Sequence, residues 1–67
     1  MMGSDLQQFV GNKYEFDDGA SIKIVQVKLR DEGFLVTYET CYTNCLPRRS
    51  VMLESEFIPT FGHLFTT

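Results

Sequence analysis

The chain has 67 residues and a formal net charge of −3, from nine Asp and Glu against six Lys and Arg. That length holds a single small β domain over residues 1–67, which buries only about 60% of its unfolded surface and is marginal in stability for that reason. An apolar content of 43% argues against disorder, the acidic balance weighs against a nucleic-acid binder, and no apolar run approaches the ~20 residues of a membrane span.

Residues 1–11 are expected to be a short helical or flexible N-terminal segment. Ser4-Asp5-Leu6-Gln7 has the form of a capping box, with the Ser4 hydroxyl and the Gln7 side chain meeting each other's amides. Leu6, Phe9 and Val10 share one face, and Gly11-Asn12 can end the turn in a left-handed conformation. Lys13 to Phe16 alternates polar and aromatic as a short strand. Asp17-Asp18-Gly19 follows as a turn, because Asp and Gly tolerate positive φ.

Ser21 to Leu29 is the longest predicted strand, and its pattern changes midway. Ile22 and Ile24 share one side, whereas Val25, Val27 and Leu29 share the other. A strand of period two cannot change its buried side without a bulge or sharp bend, so a curled sheet is expected. Arg30-Asp31-Glu32-Gly33 is a polar reverse turn, and Phe34 to Tyr42 alternates as a third strand. Pro47 cannot donate to a ladder, so a fourth strand is placed after it, from Arg49 to Leu53.

Ser55 can cap a final helical turn ending at Gly62. Pro59 confines that element to a single turn, which the tighter 3₁₀ form would suit, because proline fits only the first turn of a helix. His63-Leu64-Phe65 is apolar enough to dock on the sheet as a last strand. The expected fold is therefore mainly β: a small curled antiparallel sheet or SH3-like barrel of four or five strands, with short helical turns near both ends.

Few residues suggest chemistry. Cys41 and Cys45, spaced C-x-x-x-C, are a candidate redox pair. Structural zinc takes four Cys or His ligands, and only His63 is at hand beyond these two thiols, so no metal or cofactor is expected. The acidic pairs Asp17-Asp18 and Asp31-Glu32 are accounted for by their turns. His63 has no evident partner for general-base work, and no catalytic residue is assigned. A basic face of Lys13, Lys23, Arg48 and Arg49 with stacking tyrosines Tyr38 and Tyr42 would suit single strands. Lys28 joins Lys23 on that face only if a bulge lies between them.

The stretches Tyr14-Glu15-Phe16-Asp17-Asp18-Gly19, Val27 to Gly33 and Val36-Thr37-Tyr38 stand together with Leu46-Pro47-Arg48-Arg49, Glu56-Phe57 and Phe61-Gly62-His63-Leu64-Phe65. With these, the chain from Asn12 onward resembles short uncharacterised proteins of tailed bacteriophages, notably marine ones. The resemblance implies a small accessory protein acting in the cytoplasm of an infected bacterium. It carries over no functional residue, and the segment from Cys41 to Cys45 does not share in it. Residues 1–8 lack the basic start and apolar stretch of a secretory signal, in keeping with the cytoplasm.

The function expected is a non-enzymatic protein-interaction module whose partner is another protein or a second copy of itself. A homodimer would cover sheet edges or the apolar tail at Leu64 and Phe65. The alternative is a small nucleic-acid-binding barrel.

Overall fold

A computed structural model describes residues 6–65. Four strands, β1 (Lys13–Glu15), β2 (Ser21–Arg30), β3 (Gly33–Cys41) and β4 (Arg48–Leu53), form one antiparallel sheet in the order β1-β2-β3-β4. Each strand pairs with its sequence neighbour, so the sheet is a meander and stays open: β1 and β4 are its two edges. Of the two expected forms, the curled sheet is the one present, without barrel closure. The helix α1 (Glu54–Phe61) follows β4 directly, and single 3₁₀ turns lie at Gln7–Phe9 and Gly62–Leu64. Ser4 of the expected capping box lies outside the described residues.

The turns follow their sequences. In the first hairpin Gly19 donates to the Phe16 carbonyl, Phe16 donates to the Ala20 carbonyl, and Gly19 has a φ of 91°. The Asp18 carboxylate accepts from the Ala20 amide at 3.0 Å, the local bond that favours Asp in turns. Gly33, at φ 125°, closes the second hairpin. Between β3 and β4, Cys45 donates to the Tyr42 carbonyl across Asn44, which takes a φ of 66°. Asn is among the few residues with a side chain that accept that conformation readily.

The expected bend in β2 is a bulge. Ile24 pairs with Tyr38 and Gln26 with Thr37, so Val25 is the extra residue. The bulge brings Val27 onto the same side as Ile22 and Ile24, and all three are buried. Leu29 continues in phase, but the hairpin has by then run past the core, and it is 67% exposed. This projection makes the molecule 41 Å long, with a radius of gyration of 12.0 Å against about 11 Å for a compact chain of this length.

The core lies between the inner face of the sheet and the helical segments. α1 packs on β3 and β4, and the N-terminal 3₁₀ turn packs on β2. Leu6, Ile22, Ile24, Val36 and Phe57 are fully buried. Phe57 and Phe61, one helical turn apart, both meet the Tyr38 ring, with centroids 5.5 and 5.6 Å away. Phe65 joins this group through Phe57 and reaches Phe9, so the two ends of the described chain meet beneath the sheet.

The C-terminal third differs from expectation in four ways. α1 is an α-helix of eight residues with Pro59 inside it, rather than a single turn. The carbonyl deprived of a donor by Pro59 belongs to Ser55, on the exposed side, while Phe57 and Phe61 hold the other side to the sheet. Leu53, not Ser55, is the N-cap, without a side-chain hydrogen bond. Gly62 is buried with a right-handed φ of −58°. A Cβ there would sit 3.3 Å from Ile58 Cγ2, so close packing, not a left-handed stop, accounts for glycine. The tail then docks as a 3₁₀ turn rather than as a strand.

Candidate functional site

Strand alternation assigns each candidate residue to a face. On the inner face, Tyr14, Ile22, Thr40 and Arg48 form one row across the four strands, and Ile24, Tyr38 and Ser50 form the next. On the outer face, Lys13, Lys23, Glu39 and Arg49 form a corresponding row. The cations and tyrosines expected to make one nucleic-acid surface are therefore divided. Lys13, Lys23 and Arg49 are together on the outer face. Arg48 is inside with Tyr38, which is a core residue at 9% exposure. Tyr42 is exposed just beyond the end of β3 and lines the inner side of the sheet. The bulge does lie between Lys23 and Lys28, and it places both on the outer face.

The two thiols are not brought together as a bonded pair. Cys41 is half-buried and opposite Ser21 in the outer row, whereas Cys45 is exposed in the turn and faces the inner side; both are free. His63 is exposed on the last 3₁₀ turn. Among the described residues no group of three His, Cys, Asp or Glu side chains could hold a metal ion, and no helix is long and apolar enough to cross a membrane. Leu64 and Phe65 are half-buried against the molecule's own core, so much of their apolar surface is already used.

The concave feature lies where α1 stops short of the sheet's end. α1 packs on β3 and β4, and in the row Tyr14–Ile22–Thr40–Arg48 Ile22 is fully buried, Thr40 half-buried and the two ends exposed. Two adjoining hollows share Thr40, Tyr42 and Phe61. One, of about 250 Å³, runs toward the first hairpin between Phe16, Ala20 and Ile22. The other, of about 450 Å³, runs along β4 past Cys45, Leu46, Arg48 and Ser50. Tyr14 and Phe16 meet edge to face at 5.1 Å on the rim.

Several large apolar side chains remain exposed around this cleft. Leu46 is 89% exposed and Tyr42 57%, and Phe16 retains over a third of its surface. Arg48, the one cation of the inner face, stands at the β4 side, where its carbonyl accepts from the Thr40 hydroxyl at 3.4 Å. Its guanidinium has no carboxylate partner among the described residues. The arrangement is a largely apolar cleft with Asp18 at the hairpin end and Arg48 at the β4 margin. Such a site can take a bulky apolar side chain and a nearby carboxylate.

Sequence reasoning missed Phe16, Leu46 and Phe61 as members of a shared surface. One signal was present: Leu46 is a large apolar residue inside a loop, immediately before Pro47. Comparison with protein-family models, with curated proteins and with solved structures returns no match.

Proposed function

We propose that this chain is a non-enzymatic protein-interaction module that takes its partner through the cleft at the open end of the inner sheet face. The supporting observation is the apolar surface around Phe61, where Phe16, Tyr42 and Leu46 stay exposed beside Arg48, which has no ion pair among the described residues. Exposed apolar surface of this kind, rimmed by polar groups, is characteristic of sites that another protein covers. A nucleophile paired with a base would argue for an enzyme. Here the cleft is lined by Cys45 without a histidine, since His63 is not among its lining residues.

The partner is a host or viral protein, or a second copy of the chain, in the cytoplasm of an infected bacterium. Self-association through β1 and β4 belongs to the same reading, because they are the two edges of the sheet among the described residues.

Tyr42→Ser and Leu46→Ser together remove the apolar rim at exposed positions. Leu29→Ser removes an equally exposed side chain from the distant hairpin tip. Proteins retained from bacterial lysate on the immobilised domain are expected to be lost with the first pair and kept with Leu29→Ser. Equal retention by both variants would count against the cleft.

A further inference from the structure

The outer face of the sheet separates charge to a degree that the net charge conceals. Five of the six cations project from it: Lys13 on β1, Lys23, Lys28 and Arg30 on β2, and Arg49 on β4. Among the described carboxylates only Glu15 and Glu39 share that face. Each is held by a cation of an edge strand: Glu15 by Lys13 and Glu39 by Arg49, both at 3.4 Å. The β2 cations Lys23, Lys28 and Arg30 have no ion pair among the described residues. The remaining described carboxylates sit in the first two turns or on α1, at Asp17, Asp18, Asp31, Glu32, Glu54 and Glu56.

The bulge at Val25 creates this line of charge. Without it, Lys28 and Arg30 would fall on the inner side, out of phase with Lys23. With it, the three follow the outer side of one strand over about 20 Å, and Lys28 and Arg30 are about 7 Å apart at the rise of an extended chain. The strand aromatics Tyr14, Phe34 and Tyr38 all lie on the inner face. The outer face therefore offers cations without stacking rings, which separates it from single-strand binding surfaces.

We propose that this face binds the phosphate backbone of double-stranded nucleic acid, through Lys23, Lys28 and Arg30 and without reading sequence. A polyanion with regularly spaced charges matches a linear cationic array, and phosphate contact alone supplies non-specific affinity through counterion release. Asp31 and Glu32 adjoin Arg30 in the turn, inside a Debye length of about 8–10 Å, whereas Asp17, Asp18, Glu54 and Glu56 lie on other elements. This site is independent of the cleft on the opposite face, so one molecule could hold a protein and a duplex together.

The test is fluorescence anisotropy of a short labelled duplex titrated with the full chain at two salt concentrations. Three phosphate contacts predict about a 40-fold loss of affinity between roughly 50 and 200 mM salt. Lys28→Gln with Arg30→Gln leaves one contact and predicts about a 4-fold loss over the same interval, with weaker binding throughout. Both residues are exposed near the hairpin tip, and an unchanged circular dichroism spectrum confirms folding; Lys23→Gln is a second variant expected to lower the slope. Leu29→Ser, on the inner side of the same hairpin tip, is expected to leave duplex binding unchanged. The proposal is overturned by no binding at the lower salt, by an unchanged slope in the double variant, or by an equal effect of Leu29→Ser. It is also overturned if polyglutamate competes as well as unlabelled duplex at equal charge, because the face would then fit an acidic polypeptide.

Discussion

At the scale of single residues, the most demanding position is Gly19. Its φ of 91° is one that side chains rarely adopt, and an added Cβ would lie 2.8 Å from the Thr43 hydroxyl. The first hairpin and the β3–β4 loop thus approach each other through a glycine. Gly19→Ala is expected to lower the unfolding free energy by about 1–3 kcal/mol, combining left-handed strain with the contact. Thr43→Ala in the same chain is expected to recover only part of the loss, because it relieves the contact and leaves the strain. Urea titration of the two variants checks this, and full recovery would mean that the contact alone mattered. The residue types of this turn were legible in the sequence, since Asp-Asp-Gly fits few other structures. The Thr43 contact was not, because it joins residues 24 positions apart.

At the scale of elements, β2 and α1 show how tertiary packing overrides local preference. The phase change in β2 announced a bulge, and the register places the extra residue at Val25. Deleting Val25 leaves Ile24, Gln26 and Val27 in regular alternation, so the same side chains stay buried while the bend is lost. The shortened chain is expected to unfold cooperatively by thermal melt, at lower stability because the straightened strand fits the helical layer less well. A non-cooperative melt would show that the bend is required for folding. In α1 the proline is kept although a helix interior disfavours it. Pro59→Ala restores a donor for the Ser55 carbonyl and is expected to stabilise the domain by about 1–2 kcal/mol, the helical gain being offset by a more flexible unfolded chain. Denaturant midpoints measure this, and a fall in stability would indicate that the proline fixes the path into Gly62.

At the scale of the whole molecule, a thin core must hold an open sheet. One helix and two short turns cover the inner face, and the outer face has no layer over it among the described residues. Phe57 is the largest fully buried side chain, and Phe57→Ala would remove about 3–5 kcal/mol from a total of about 3–10 kcal/mol for a chain of this length. The same shortage of cover motivates the self-association reading. Light scattering during size exclusion is expected to show mass rising with concentration as two copies pair through open edges. A constant monomer mass at every concentration would remove that part of the proposal and leave the cleft to another protein.

The sequence by itself determined the four strands and their turns, because those signals are local, but not the length of α1 or the form of the tail. Alternation, turn residues and the phase slip in β2 together specify four short strands, their hairpins and a curled sheet. Only the tertiary structure decided which faces those residues share. A shift of one residue moves every later side chain to the other side of a strand, and the bulge makes that shift between Lys23 and Lys28. From that one step follow Lys28 and Arg30 joining Lys23 outside, and Val27 joining Ile22 and Ile24 inside. The cleft likewise depends on where α1 ends relative to β3, which contacts between distant residues set and no short stretch of sequence encodes.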